Sequence, residues 1–175
     1  MVLLDLRQPD RERFGAELAR LGFCIVSGLA RGIDTAAHEG ALSVGGKTAA
    51  VLGCGIERAY PPENAKLLEQ VAAAGTVLSE YPPGSDPLPG HFPGRNRIIS
   101  GLSRGTLVIE ATIDSGSLIT AELALEQGRE VLAVPGSIDR PTSAGPNKLI
   151  KDGAQPVTEA ADIFAVLWPG RTARS

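Results

Sequence analysis

The chain has 175 residues, the length of about one domain, with 17 Lys+Arg against 20 Asp+Glu and a net charge of −3. Apolar residues make up 43 %, enough to bury a core, which excludes a disordered or purely solvating chain. Gly (21) and Pro (13) are frequent but follow no fixed period, which excludes a collagen-like repeat. No apolar run approaches the roughly 18–20 residues of a membrane span, and Asp5 comes too early for a secretory leader. Aromatics are 4 %, so the core is expected to be aliphatic. Cys24 and Cys54 have no CxxC partner, which speaks against a disulfide framework or a cysteine zinc site. A soluble, cytoplasmic protein of one domain, residues 1–175, is expected, with no cofactor, no metal and no membrane contact. Residues 168–175 (WPGRTARS) read as a flexible tail.

Short apolar runs recur along the chain, at 23–27 (FCIVS), 48–52 (TAAVL), 76–79 (TVLS), 106–110 (TLVIE) and 130–134 (EVLAV). They are continuous rather than alternating, as strands buried on both faces are. Helical spacing separates them. Residues 11–21 carry Phe14, Leu18 and Leu21 on one face, and 33–42, 63–73, 95–102 and 117–127 behave alike. Gly22, Gly75 and Gly128 stand where helices end before the next strand. Two further helices are expected at 148–152 and 158–167, with a short last strand near Pro156. Such alternation predicts an α/β fold, a three-layer, doubly wound, mainly parallel sheet. Residues 82–93 (PPGSDPLPGHFP) hold five prolines in twelve positions and read as an irregular loop, a length that inside a compact domain is often functional.

Three familiar motifs nearly fit and fail on context. Gly101-Leu-Ser103-Arg-Gly105 matches GxSxG, but a nucleophile elbow follows a strand and opens a helix, and here the order is reversed. Gly46-Lys47-Thr48 resembles the end of a P-loop, yet it runs into a strand, so no helix N-terminus receives a phosphate. The run starting Gly53-Cys-Gly55 puts Arg58 where a dinucleotide fingerprint needs glycine.

Four elements remain, and the first two lie at the carboxyl ends of strands, where open parallel sheets bind ligands. Ser27-Gly28-Leu-Ala-Arg31-Gly32 offers a glycine for close backbone approach, a glycine for positive φ and a cation. Ser115-Gly116-Ser117 opens a helix through Thr120, whose free N–H groups and dipole suit an anion. Arg95-Asn96-Arg97 reads as the start of a helix after the Pro-rich loop, where an arginine opposes the helix dipole unless an anion offsets it. Asn147-Lys148 follows near Pro135-Gly136-Ser137, as a cap and a phosphate-reaching amine. From residue 87 to 109 there is no Asp or Glu, while Arg95, Arg97 and Arg104 all fall there. Together these predict an anion site of backbone N–H groups, hydroxyls and a few cations. Two classes stay open on the residues alone: a nucleotide- or phosphosugar-processing enzyme, and a nucleic-acid binder that cradles backbone phosphates.

The runs SGLARGID (27–34), AAH (36–38), YPPE (60–63), FPGRNRIIS (92–100), SGSLITA (115–121), GREVLAVPG (128–136) and NKLI (147–150) closely resemble the DprA family, also called Smf, of bacterial natural transformation. They occur in order across about residues 14–161. The resemblance implies an extended Rossmann-like domain that binds single-stranded DNA without sequence preference, forms a homodimer and loads the recombinase RecA onto the strand, without catalysis. By matching motif it carries Arg31, Arg95, Asn96, Arg97, Ser115, Gly116, Ser117 and Lys148 into the DNA pocket. Ser27, Gly28, Gly32, Thr120 and Asn147 join them on the reading above.

The sequence departs from the family pattern in three ways. Residues 1–10 (MVLLDLRQPD) lack the usual Gly-Ser-Arg strand ending, so part of the first strand and of the pocket is expected to be missing, with residues 2–4 able to supply a partial strand. The family's helical domain before this one and winged-helix domain after it are expected to be absent. Pro146 stands where the family has a small polar residue or Cys, removing a donor near the phosphate. The competing enzyme class is the nucleoside-monophosphate phosphoribohydrolases of similar fold, whose catalytic Glu would correspond to Glu122, although the glycines of their phosphate motif are absent. A degenerate interaction module is the other alternative.

Overall fold

The computed structural model describes residues 8–170. The chain alternates helix and strand: α1 (Gln8–Arg20), β1 (Ile25–Ser27), α2 (Ile33–Ser43), β2 (Thr48–Leu52), α3 (Ala65–Ala74), β3 (Thr76–Ser79), α4 (His91–Gly101), β4 (Gly105–Val108), α5 (Gly116–Glu126), β5 (Glu130–Ala133), α6 (Ala144–Lys151), β6 (Gln155–Pro156) and α7 (Ala160–Leu167). Single 3-10 turns at Pro62–Asn64 and Pro141–Ser143 lead into α3 and α6. Every strand pair is parallel, because a helix carries the chain back between successive strands. This is the expected α/β class.

The strands fall into two three-stranded sheets, β1-β2-β3 and β4-β5-β6, with no ladder joining β1 to β4 among the described residues. One core nevertheless serves both. Ile25 of β1, Leu107 of β4 and Leu132 of β5 share it with Phe14 and Leu18 of α1 and Ile163 and Phe164 of α7. The partial strand expected at residues 2–4 lies outside the described residues. β2 is buried along its whole length, as its continuous apolar run predicts. β3 departs from that expectation: it is an edge strand, and its residues alternate between exposed and half-buried. Trp168, expected to begin the tail, instead stacks on Phe23 with ring centroids 4.4 Å apart, while residues 171–175 lie outside the described ones. No described helix is long and apolar enough to cross a membrane.

Local chemistry explains two boundaries. α4 begins at His91, four residues before the predicted start, because Pro93 sits in its first turn, where a missing N–H breaks no helical bond. The same rule absorbs Pro146, the third residue of α6, so the proline removes a donor that the helix had no internal acceptor for. The rest of the Pro-rich loop is pinned down. Gly55 N donates to the Ser85 carbonyl (3.0 Å), Gly84 N to Glu57 (2.5 Å), and Arg58 pairs with Asp86 (2.9 Å).

Candidate nucleic-acid interface

The turn after β1 is held from within. The buried Asp34 carboxylate, on the first turn of α2, accepts the N–H of Gly28 (3.0 Å) and of Ala30 (3.1 Å). Between them Leu29 is forced to φ 60, a conformation that a branched side chain rarely takes and that concentrates at functional sites. Its carbonyl is fixed by Asn64 Nδ2 at 2.9 Å, and the same amide reaches Thr35 Oγ1 at 2.9 Å. Gly32 takes φ 82, as the motif predicts. Arg31 is left exposed at the rim.

The opposite lip is the start of α5. Ser115 is extended (φ −72, ψ 140) and its hydroxyl accepts the N–H of Ser117 at 3.2 Å, the side-chain cap expected there. Thr120 is buried one turn on, its hydroxyl donating to the Gly116 carbonyl. α4 packs beside α5 and supplies Asn96 to the same opening. These residues, with Tyr60, Pro61, Phe92 and Ile119, line one open cavity of about 530 Å³. The Tyr60 and Phe92 rings lie 5.3 Å apart, giving the mouth an apolar side against its polar one. Positive ends, hydroxyls and an amide thus converge on one space, which suits an extended anion carrying planar groups.

The three arginines part ways. Arg95 is only 4 % exposed. Its Nη1 donates to the Gly28 carbonyl (2.8 Å) and to the Val51 carbonyl, tying the ends of β1 and β2 together. Burial lowers its pKa and the nearby Asp34 raises it. It forms part of the floor and does not offer its charge to solvent. Because α4 starts at His91, Arg95 and Arg97 sit in its second turn and carry no first-turn dipole penalty, contrary to the sequence expectation. Arg31 Nε donates to Glu63, and Arg97 Nη2 to Glu80, all four side chains being exposed.

A family model described as DNA recombination-mediator protein A matches residues 10–167. This chain belongs to that family. The DNA processing protein DprA of Streptococcus pneumoniae is 55 % identical over 141 residues, covering 81 % of this chain and 50 % of that protein. The crystal structure of that bacterium's DNA processing protein A superposes with a TM-score of 0.84 at 46 % identity, over 94 % of this chain and 60 % of that one. A structure of the Helicobacter pylori DNA processing protein A, which addresses its single-stranded DNA binding mode, gives 0.81 at 28 % identity, over 95 % and 78 %. The chain spans about half the length of the curated relatives it matches.

Within this recombination-mediator domain, the residues singled out from sequence divide by position. Gly28, Arg31, Arg95, Asn96, Ser115, Gly116, Ser117 and Thr120 all line the cavity, whereas Gly32 shapes the β1 turn and Arg97 faces Glu80, both outside that lining. Ser27 is buried behind it, and its hydroxyl has no hydrogen-bond partner. Asn147 does not cap a helix or meet the mouth; its amide brackets Gly136, donating to that carbonyl (2.9 Å) and accepting its N–H (3.1 Å). Lys148 pairs with Asp152 at 2.7 Å in a second cavity of about 260 Å³, which Glu122 also lines. The Glu122 of the phosphoribohydrolase comparison is therefore away from the mouth. The near-motifs are structural: Ser103 Oγ donates to Ile99 O (2.7 Å), and Lys47 Nζ to Ala74 O (3.1 Å). No group of three or more His, Cys, Asp or Glu among the described residues is placed to hold a metal.

Sequence reasoning missed Asn64 and gave Asp34 no role at the site. An acid six residues after a strand-end glycine, accepting two backbone N–H groups, is a local signal that could have found Asp34. Asn64 acts on Leu29 from 35 residues away, and no spacing rule announces it.

Proposed function

We propose that the mouth between the β1 turn and the α5 start binds single-stranded DNA through its phosphates, without catalysis, and that the chain acts in recombination by delivering the strand to RecA in the cytoplasm as a homodimer. One observation carries the DNA part: Arg31, Asn96 and the Ser115–Ser117 helix start converge on a single open cavity beside the Tyr60–Phe92 pair, of which Tyr60 is exposed and Phe92 half-buried. Membership of the recombination-mediator family and the single-strand binding described for the Helicobacter pylori relative support it. The acidic overall charge of −3 is no obstacle, because affinity for phosphates follows local cations. The RecA and dimer parts rest on the family resemblance.

The test is fluorescence anisotropy of a labelled oligothymidylate titrated with the chain at low and moderate salt, with duplex DNA as competitor. Binding is expected to weaken steeply with salt and to resist the duplex. Arg31→Ala and Arg97→Ala are each expected to lower the salt slope by about one and to weaken all sequences alike. Full affinity and slope in both variants would remove the arginines from the interface. A shortened lag in RecA filament growth on single strands tests the delivery step.

A further inference from the structure

Two exposed arginines are already occupied: Arg31 at the cavity, and Arg97 on the same helix as Asn96 but outside the cavity lining. Arg31 is held by Glu63, at the 3-10 turn before α3, and Arg97 by Glu80, just after β3. The other ion pairs among the described residues are of a different kind. Arg13–Glu17 and Lys148–Asp152 join residues four apart in sequence, and Arg58 meets its neighbour Glu57 and pins the Pro-rich loop through Asp86. The Glu63 and Glu80 pairs bridge separate elements and engage two of the cations that the proposed reading gives to DNA. Contact with Arg31 holds the Glu63 carboxyl below the usual carboxylate range, so it is a resident anion wherever DNA is bound.

We infer that Glu63 and Glu80 compete with phosphate for Arg31 and Arg97, and so set the interface to accept a polyanionic strand over a single phosphate or mononucleotide. The inference rests on the single-strand reading above. An exposed ion pair is weak, so a phosphate can displace a carboxylate, and guanidinium forks suit phosphate oxygens well. The displaced carboxylate stays nearby and repels the newcomer. A lone phosphate gains one contact against that opposition. A strand, once one phosphate has docked, presents the next at high effective concentration, and it adds Asn96 and the α5 start at no further loss of a pair. The two glutamates thereby raise the threshold for short anions more than for a strand.

The experiment uses the full chain and a labelled oligothymidylate, with thymidine monophosphate as competitor. Glu63→Gln and Glu80→Gln are each expected to bind the strand about threefold tighter, and the double variant about tenfold. The monophosphate is expected to compete measurably only in the double variant. Glu69→Gln, an exposed acid on α3, is expected to change nothing. In an Arg31→Ala background the gain from Glu63→Gln is expected to vanish, since the carboxylate acts through that arginine. Unchanged or weaker binding in the glutamine variants would overturn the inference, the weaker case showing that the carboxylates position the arginines. An equal gain in the Arg31→Ala background would overturn it too, reducing the effect to overall charge. If the wild-type chain binds the strand and Arg31→Ala weakens it while the glutamine variants are silent, this inference fails and the single-strand reading stands. If neither the wild type nor any variant binds, both fall.

Discussion

The Arg95 guanidinium occupies the space where Gly28 has no side chain. A β-carbon built on Gly28 would run into Nη2, while Nη1 donates to the Gly28 carbonyl at 2.8 Å. The glycine is thus required by a side chain 67 positions away, and the arginine is held by two carbonyls at the ends of neighbouring strands, those of Gly28 and Val51.

Two substitutions follow from that pairing. Arg95→Met strips the donors from the Gly28 and Val51 carbonyls and is expected to destabilise the fold by about 2–4 kcal/mol. Gly28→Ala pushes on the guanidinium and is expected to be destabilising by about 2 kcal/mol or more. In an Arg95→Ala background the Gly28→Ala effect should shrink, since the clash is gone. Urea denaturation followed by fluorescence of Trp168, the sole tryptophan, measures all three; strict additivity would dissolve the pairing.

Leu29 carries two opposed terms. Its φ of 60 is strained for a branched side chain, worth about 1–3 kcal/mol. Its side chain is fully buried against Ala50, Leu52, Leu67 and Val71, and losing such a group costs about 2–5 kcal/mol. Leu29→Gly is therefore expected to be net destabilising by about 1–2 kcal/mol despite relieving the backbone. A midpoint shift to higher urea would show that strain outweighs packing here.

His38 makes stability depend on pH. It is fully buried, and its Nδ1 lies 2.6 Å from Thr48 Oγ1. The Thr48 hydroxyl donates to the Ile25 carbonyl at 2.8 Å, so Nδ1 must be the donor to Thr48, and Nε2 is left without a partner. Burial pushes the His38 pKa down to about 4 from 6.5, with Asp34 raising it and Arg95 lowering it. The unfolded chain then takes up the proton first. This group's contribution is whole above pH 6.5, falls as the pH drops toward 4, and changes no further below that. The full loss is about 3 kcal/mol. Denaturation midpoints measured from pH 7.5 to 4.5 should decline accordingly, and His38→Gln should flatten the part of the decline above pH 5.

Position at the mouth predicts unequal roles for two cations of the sequence motifs. Arg31 lines the main cavity, whereas Lys148 lines the second one, paired with Asp152. Arg31→Ala is expected to weaken oligothymidylate binding several-fold, and Lys148→Ala to change it less than twofold. A larger loss at Lys148 in the anisotropy titration would extend the interface to that second cavity.

Much of the molecule was legible in the chain itself. Continuous apolar runs between helical stretches fixed the parallel α/β class, because period and continuity are local properties that burial on two faces imposes. The glycines and hydroxyls of residues 27–34 and 115–121 marked the two lips of the mouth for the same reason: a strand-end turn and a helix cap are written in adjacent residues. What the neighbours in space would do was not written there. Arg95, Arg97 and Arg31 read alike as cations in sequence. Tertiary structure buried the first beneath Gly28 and set a distant glutamate against each of the others. It also withdrew Asn147 and Lys148 to other tasks and divided the strands into two sheets around one core. Charge and hydrogen-bonding capacity belong to a residue, but whether they face water, a carbonyl or a carboxylate depends on contacts between elements far apart in the chain.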